Sequence, residues 1–160
     1  MKRFWGGIGT VLFWLLWPGL VVYFRFGGLR SRVIVVHEGE VLLVLSWLGL
    51  KKYGLPGGGT KRHETTAVSA LRELEEETGI VIMERSLKNI GLFTHNRFKL
   101  FYKARLFSVE LSTKPELKLH KPEIMEAIWV KFEDLKSFSL DEDAIYALER
   151  YRPAEQARLL

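Results

Sequence analysis

From Trp47 to Thr60 the chain carries six glycines and prolines (Gly49, Gly54, Pro56, Gly57, Gly58 and Gly59), and it runs straight on into the acid-rich stretch ETTAVSALRELEEETG. Glycine and proline at that density exclude a regular helix or a central strand, so the first part is loop. The second part is rich in helix formers and stops at Gly79, which predicts a helix over residues 64–78. At about 100° per residue, Glu73, Glu76 and Glu77 share one face of that helix, and Ala67, Leu71 and Leu74 fall on the opposite one. Like charges at i, i+4 weaken a helix by roughly a few tenths of a kcal/mol. A divalent cation removes the conflict, and clustered carboxylates are the hard ligands that suit Mg2+ or Mn2+. A solvated acidic face is the competing reading. The glycines favour the metal, because they let backbone approach a ligand without side-chain obstruction.

The flanking sequence predicts an α/β domain around this junction. Residues 33–37 and 41–46 are apolar, β-branched-rich runs separated by Glu38-Gly39-Glu40, which reads as a hairpin. Further strands are expected near residues 80–83, 87–93 and 98–109, the last with clear alternation. Residues 112–122 read as an exposed charged loop, 127–130 as a short strand and 132–138 as a turn or short helix. A C-terminal helix over 141–151 would bury Ala144, Ile145, Ala147, Leu148 and Tyr151, followed by a tail. A chain of 160 residues holds one such domain and no second sizeable core.

The first 30 residues are different. Residues 4–24 (FWGGIGTVLFWLLWPGLVVYF) contain no charge. As a helix they would be roughly 30 Å long, about the hydrocarbon thickness of a bilayer. Trp5, Trp17 and Tyr23 lie near the ends, where aromatic rings favour the membrane interface. Lys2 and Arg3 precede the run; Arg25, Arg30 and Arg32 follow it, a slight excess that places the main domain in the cytoplasm. Gly6, Gly7, Gly9, Pro18 and Gly19 weaken insertion. No small-residue cleavage site follows, which argues against a removed signal peptide. The division expected is therefore 1–30, an apolar helix that anchors to a membrane by spanning it or lying on it, and 31–160, the catalytic domain. The alternative is an extra helix, kinked at Pro18, packed on the domain or on a second copy in a homodimer.

The absence of cysteine excludes a disulfide scaffold, a thiolate zinc site and a cysteine nucleophile. A net charge of +5 and a pI near 9.5 favour anionic partners such as phosphorylated small molecules. The basic residues are dispersed, with no aromatic-interleaved stripe, so nucleic acid is not expected.

Joined to its loop, the helix segment GGTKRHETTAVSALRELEEETGI resembles the Nudix box, G-x5-E-x7-R-E-U-x-E-E-x-G-U with U apolar. Gly58, Glu64, Arg72, Glu73, Leu74, Glu76, Glu77, Gly79 and Ile80 fill every defined position. Seven fixed identities at roughly 7% background each give a chance match near 10⁻⁸ per start position. The resemblance implies a Nudix-type α/β/α sandwich with a mixed β-sheet. It also implies Mg2+-dependent hydrolysis of a nucleoside diphosphate linked to another group; the usual sign of a non-catalytic binding module, loss of box acids, is not present here. Glu73, Glu76 and Glu77 would then hold metal, with the Gly57 carbonyl as a further ligand. Arg72 would orient Glu73, Glu64 would stand behind them, and Gly58 and Gly59 would face substrate. The general base would be a box glutamate such as Glu76 or an acid of a later loop, where Glu123 and Glu126 are the candidates.

Two positions depart from common versions of the box. His63 stands before Glu64 where many members carry glycine, and Lys61-Arg62 make the loop basic. The sequence does not identify the substrate. His95 and Arg97 occupy positions where ADP-ribose-type and dinucleoside-polyphosphate-type members often carry proline and tyrosine. Arg97, Lys99, Tyr102 and Arg105 could line a pocket or decorate a strand, and Trp47 and Tyr53 could stack on a base.

Overall fold

The computed structural model describes residues 28–47, 51–97, 100–119 and 124–151, together with isolated positions 11, 14–16 and 19. Strands β1 (Leu29–His37) and β2 (Glu40–Ser46) form the expected hairpin. Its two turn residues, Glu38 and Gly39, have φ of 45° and 77°, the left-handed pair that lets a two-residue turn follow the strand twist. Beyond the hairpin the two strands part. β1 runs parallel to β5 (Leu100–Glu110), from Leu29 opposite Lys103 to Val36 opposite Glu110. β5 continues antiparallel into β4 (Lys88–Arg97). β2 pairs antiparallel with β6 (Ile124–Lys131) and with the two-residue β3 (Tyr53–Gly54).

The gap left beside β1 is filled by the glycine loop. Ser31 N donates to Gly58 O at 2.9 Å, Val33 N to Pro56 O at 2.9 Å, and Thr60 N to Leu29 O at 2.8 Å. This pairing explains why β1 starts at Leu29, four residues before its apolar run: its polar first half is bonded on both sides.

Alternation along β1 sorts the core into two layers. Val33 and Val35 join Leu42, Phe107 and Val109 under α1 (Thr66–Thr78), meeting Ala70 and Leu74. Ile34 and Val36 join Val41, Leu43 and Leu106 on the other face, meeting Ala144 and Ala147 of α2 (Glu142–Arg150). The result is a mixed sheet between two helices, as expected from the fold class. α1 starts two residues after the predicted point, because Thr65 accepts Val68 N at 3.2 Å as its N-cap.

One expected strand is absent. Residues 80–83 are not sheet. Gly79 caps α1 in the left-handed conformation (φ 75°) and Ile80 is buried against the core, but Val81 and Met83 face solvent with no neighbouring strand to pair. A short 3₁₀ turn, Glu84–Ser86, then leads to β4. A second, Phe132–Ser137, occupies the segment expected as a turn or short helix.

The leader's described positions 11, 14–16 and 19 are helical. Val11, Trp14, Leu15 and Leu16 are exposed. Among the described residues no helix is long and apolar enough to cross a membrane. The rest of the predicted N-terminal helix lies outside the described residues.

Candidate active site

Arg72 is the hub of the site. It projects from the middle of α1 and donates to Glu64 (2.8 and 3.2 Å), Glu73 (2.7 Å), Glu76 (3.2 Å) and the Gly59 carbonyl (3.1 Å). These bonds fix the loop to the helix through one planar guanidinium. Glu64 is tied further by the backbone N–H of Lys61. Hydrogen bonds from Arg72 and from Lys61 N hold its carboxyl down to about 2. Its hydrogen bonds to Glu64 and Glu73 outweigh burial and raise Arg72 above its ordinary value.

The acidic face is not a solvated one. Glu73 and Glu77 are each only 6% exposed, whereas the Glu76 side chain is 37% exposed. Glu77 accepts the Gly57 N–H at 2.9 Å. Glycine is required at two adjacent loop positions for steric reasons. A Cβ on Gly58 would lie 2.5 Å from the Glu73 carboxyl, and one on Gly57, whose φ is 142°, would lie 2.1 Å from the Ser31 carbonyl oxygen. Beneath them Ser31 and Ser69 share a hydrogen bond at 3.1 Å, and Ser69 reaches the Gly59 carbonyl at 3.4 Å.

The structure thus brings together Gly57, Gly58, Gly59, Glu64, Arg72, Glu73, Glu76 and Glu77. Glu123 lies outside the described residues. Glu126 stands on β6 and accepts the Tyr53 hydroxyl at 2.8 Å. Burial and that carboxylate raise the Tyr53 phenol. The Tyr53 ring packs edge-on against Phe138.

The donors present are all oxygen, from three glutamates and a loop carbonyl, and Gly58 leaves a space beside Glu73 that any side chain would fill. Those properties fit a hard divalent cation. Among the described residues no three His, Cys, Asp or Glu side chains already converge on one point. Arg72 bonds Glu73 and Glu76, and Glu77 is turned towards Gly57.

Sequence reasoning missed the support on the opposite face of the sheet. Arg32 donates to the Gly57 carbonyl and, at 2.7 Å, to Asp143 at the start of α2. Asp143 is buried and Arg32 largely enclosed. Burial alone would lower Arg32, but Asp143 more than offsets it and raises the guanidinium. For Asp143 the attraction likewise outweighs desolvation and lowers the carboxyl. The signal was present: an arginine inside a strand two residues from Ile34 demands a buried acid. Neighbouring Asp141 is instead raised to about 6 by burial and by the Asp143 charge.

The sequence matches the NUDIX domain family over residues 29–151. No curated protein matches the chain. Solved structures do. A MutT NUDIX hydrolase from Burkholderia pseudomallei superposes with a TM-score of 0.71 at 21% identity, covering 79% of this chain and 98% of that one. The NUDIX domain of Shewanella oneidensis NrtR, solved with ADP ribose, gives 0.70 at 19% identity, covering 84% and 89%. A MutT/nudix family protein from Enterococcus faecalis gives 0.60 at 22% identity, covering 64% of this chain and 43% of that one, so the match spans less than half of that relative. At these identities the structural likeness concerns the fold alone. The family match covers most of the chain, and the chain belongs to the Nudix family.

Proposed function

We propose that the protein hydrolyses a phosphoanhydride bond in a nucleoside diphosphate linked to another group, using Mg2+ or Mn2+. The observation that carries this reading is the acid cluster around Arg72, set against a loop in which Gly57 and Gly58 admit no side chain. Glu73, Glu76 and Glu77 would hold the cation, with the Gly57 carbonyl as a further ligand. When bound, a divalent cation neutralises charge on the bridging oxygens and acidifies the attacking water. Arg72 aims the Glu73 and Glu76 carboxylates, and Glu64 fixes Arg72 in turn. Arg32 anchors Gly57 from below. Glu76, the most exposed acid on this helix face, or Glu123 receives the proton of the attacking water; Glu126 is already engaged by Tyr53.

The test is a phosphate-release screen with Mg2+ over nucleotide-sugar, dinucleotide, nucleoside triphosphate and prenyl diphosphate panels, run beside Glu76→Gln and Glu77→Gln. Wild-type turnover that both changes abolish is expected. Equal inertness of all three proteins would overturn the enzyme reading, and activity surviving both changes would refute the ligands.

A second reading is favoured by the uncharged run 4–24 and the exposed Val11, Trp14, Leu15 and Leu16. In it the leader associates with a membrane, with the catalytic domain on the cytoplasmic side, and the substrate is a lipid-linked diphosphate. Fractionation of the full chain against one beginning at Arg30 tests the tether, and equal solubility would sink it. A non-catalytic nucleotide-binding role is the remaining alternative. The complete set of box acids speaks against it.

A further inference from the structure

His63 has a φ of 72°, in the left-handed region that few residues other than glycine adopt. It is the third residue of turn 61–64, closed by Glu64 N donating to Lys61 O at 3.3 Å, a position that suits glycine or asparagine. Among the described residues only three non-glycines have positive φ: Glu38, Lys51 and His63. Glu38 is explained by the β1–β2 hairpin. Lys51 and His63 are basic, and both leave the sheet at the end where the glycine loop lies, since Tyr53 pairs with Leu45 and Thr60 N bonds Leu29 O.

Among the described residues no side-chain bond of His63 offsets this conformation. Lys61, Arg62 and His63 are exposed, and among the described residues their side chains make no hydrogen bond or ion pair, although Lys61 attracts the tightly engaged Glu64 beside it. The turn is nevertheless rigid. Glu64 grips Lys61 N and is itself held by two bonds from Arg72, which also holds Glu73 and Glu76. Three consecutive cationic or hydrogen-bonding side chains are therefore carried on a turn that Glu64 and Arg72 tie to the acid cluster. Strain that internal contacts do not explain is characteristic of groups organised for a ligand.

Resting on the hydrolase reading above, we infer that His63 is a specificity residue of this site. With Lys61 and Arg62 it binds a phosphate of the substrate that lies beyond the scissile linkage, so that polyphosphorylated nucleotides are preferred over nucleotide sugars.

The test compares wild type with His63→Gly, which removes both strain and imidazole, and His63→Asn, which tolerates the left-handed backbone. Steady-state kinetics are measured on a nucleoside triphosphate and a nucleotide sugar, with calorimetric binding of inorganic tripolyphosphate as a readout that needs no turnover. For both variants the KM for the triphosphate should rise about tenfold with kcat within about twofold, and tripolyphosphate affinity should fall by a similar factor. His63→Gly should also melt about 3 °C higher than wild type. Unchanged KM and tripolyphosphate affinity in both variants would overturn the inference, as would equal losses on the nucleotide sugar. If the Glu76→Gln control loses activity while the His63 variants match wild type, only this inference fails. Should wild type turn over nothing, the hydrolase reading fails and tripolyphosphate binding still decides the role of His63.

Discussion

Two arginines organise opposite faces of the sheet, and they do so in different ways. Arg32 is largely enclosed and meets one buried acid, Asp143, in a matched pair. Arg72 is partly exposed and shared among Glu64, Glu73 and Glu76, with Glu77 close by on the same helix face. A matched pair satisfies itself and serves the architecture. A guanidinium shared by several acids gathers their carboxylates at one place beside open backbone. The two hubs meet at the glycine loop, where Arg32 holds the Gly57 carbonyl and Arg72 the Gly59 carbonyl.

The comparison breaks most sharply at Asp143. Asp143→Ala strands a buried guanidinium and should lower stability by about 3–5 kcal/mol in chemical denaturation. A loss under about 1 kcal/mol would show that the pair is not structural. Glu77→Gln should act the other way round. Activity should fall by about a hundredfold or more, with the denaturation midpoint nearly unchanged, because the amide oxygen can still accept Gly57 N–H. A smaller and more discriminating effect is expected from replacing the pair together, Arg32→Met with Asp143→Leu. Much of the stability lost in Asp143→Ala should return, yet kcat should fall about tenfold because Gly57 has lost its anchor.

The smallest effect concerns Asp141. Its folded value of about 6 lies above the ordinary carboxyl range, so between about pH 4 and 6 the folded chain keeps a proton that the unfolded chain has lost. Stability therefore falls as pH rises through that window. Asp141→Asn should flatten this fall and raise the melting temperature at pH 7 by a few degrees. Asp143 and Glu64 have the opposite sign. Their lowered values stabilise the fold at neutral pH, and that stabilisation is lost as acid is added below the ordinary carboxyl range. A melting curve series that stayed flat from pH 4 to 7 in wild type would contradict the Asp141 assignment.

What the sequence revealed is what lies close along the chain. Gly58, Glu64, Arg72 and the three acids fall within one loop and one helix, so spacing and helical phase were enough to gather them. Apolar, β-branched-rich runs likewise sufficed for the hairpin of β1 and β2, and alternation for β5. The Arg32–Asp143 pair was hidden because its members are 111 residues apart and meet only through the layering of α2 on the sheet. Burial of Glu73 and Glu77 was hidden for a similar reason, since their cover comes from the loop pairing along β1. Residues 80–83 have strand-like composition but no partner, and pairing is a tertiary fact.

The caps of α1 have a consequence of their own. Thr65 fixes its first turn and Gly79 its last, with Lys118 N bonded to the Thr78 carbonyl just beyond. With both ends clamped, the helix behaves as a calibrated screw whose thread sets the bearing of every side chain. One residue inserted between Arg72 and Glu76 would advance that thread by about 100°. The helix content would survive such a lengthening, while the carboxylates would swing away from the loop they serve. Surface loops of this protein should absorb insertions, but the Nudix helix should tolerate none.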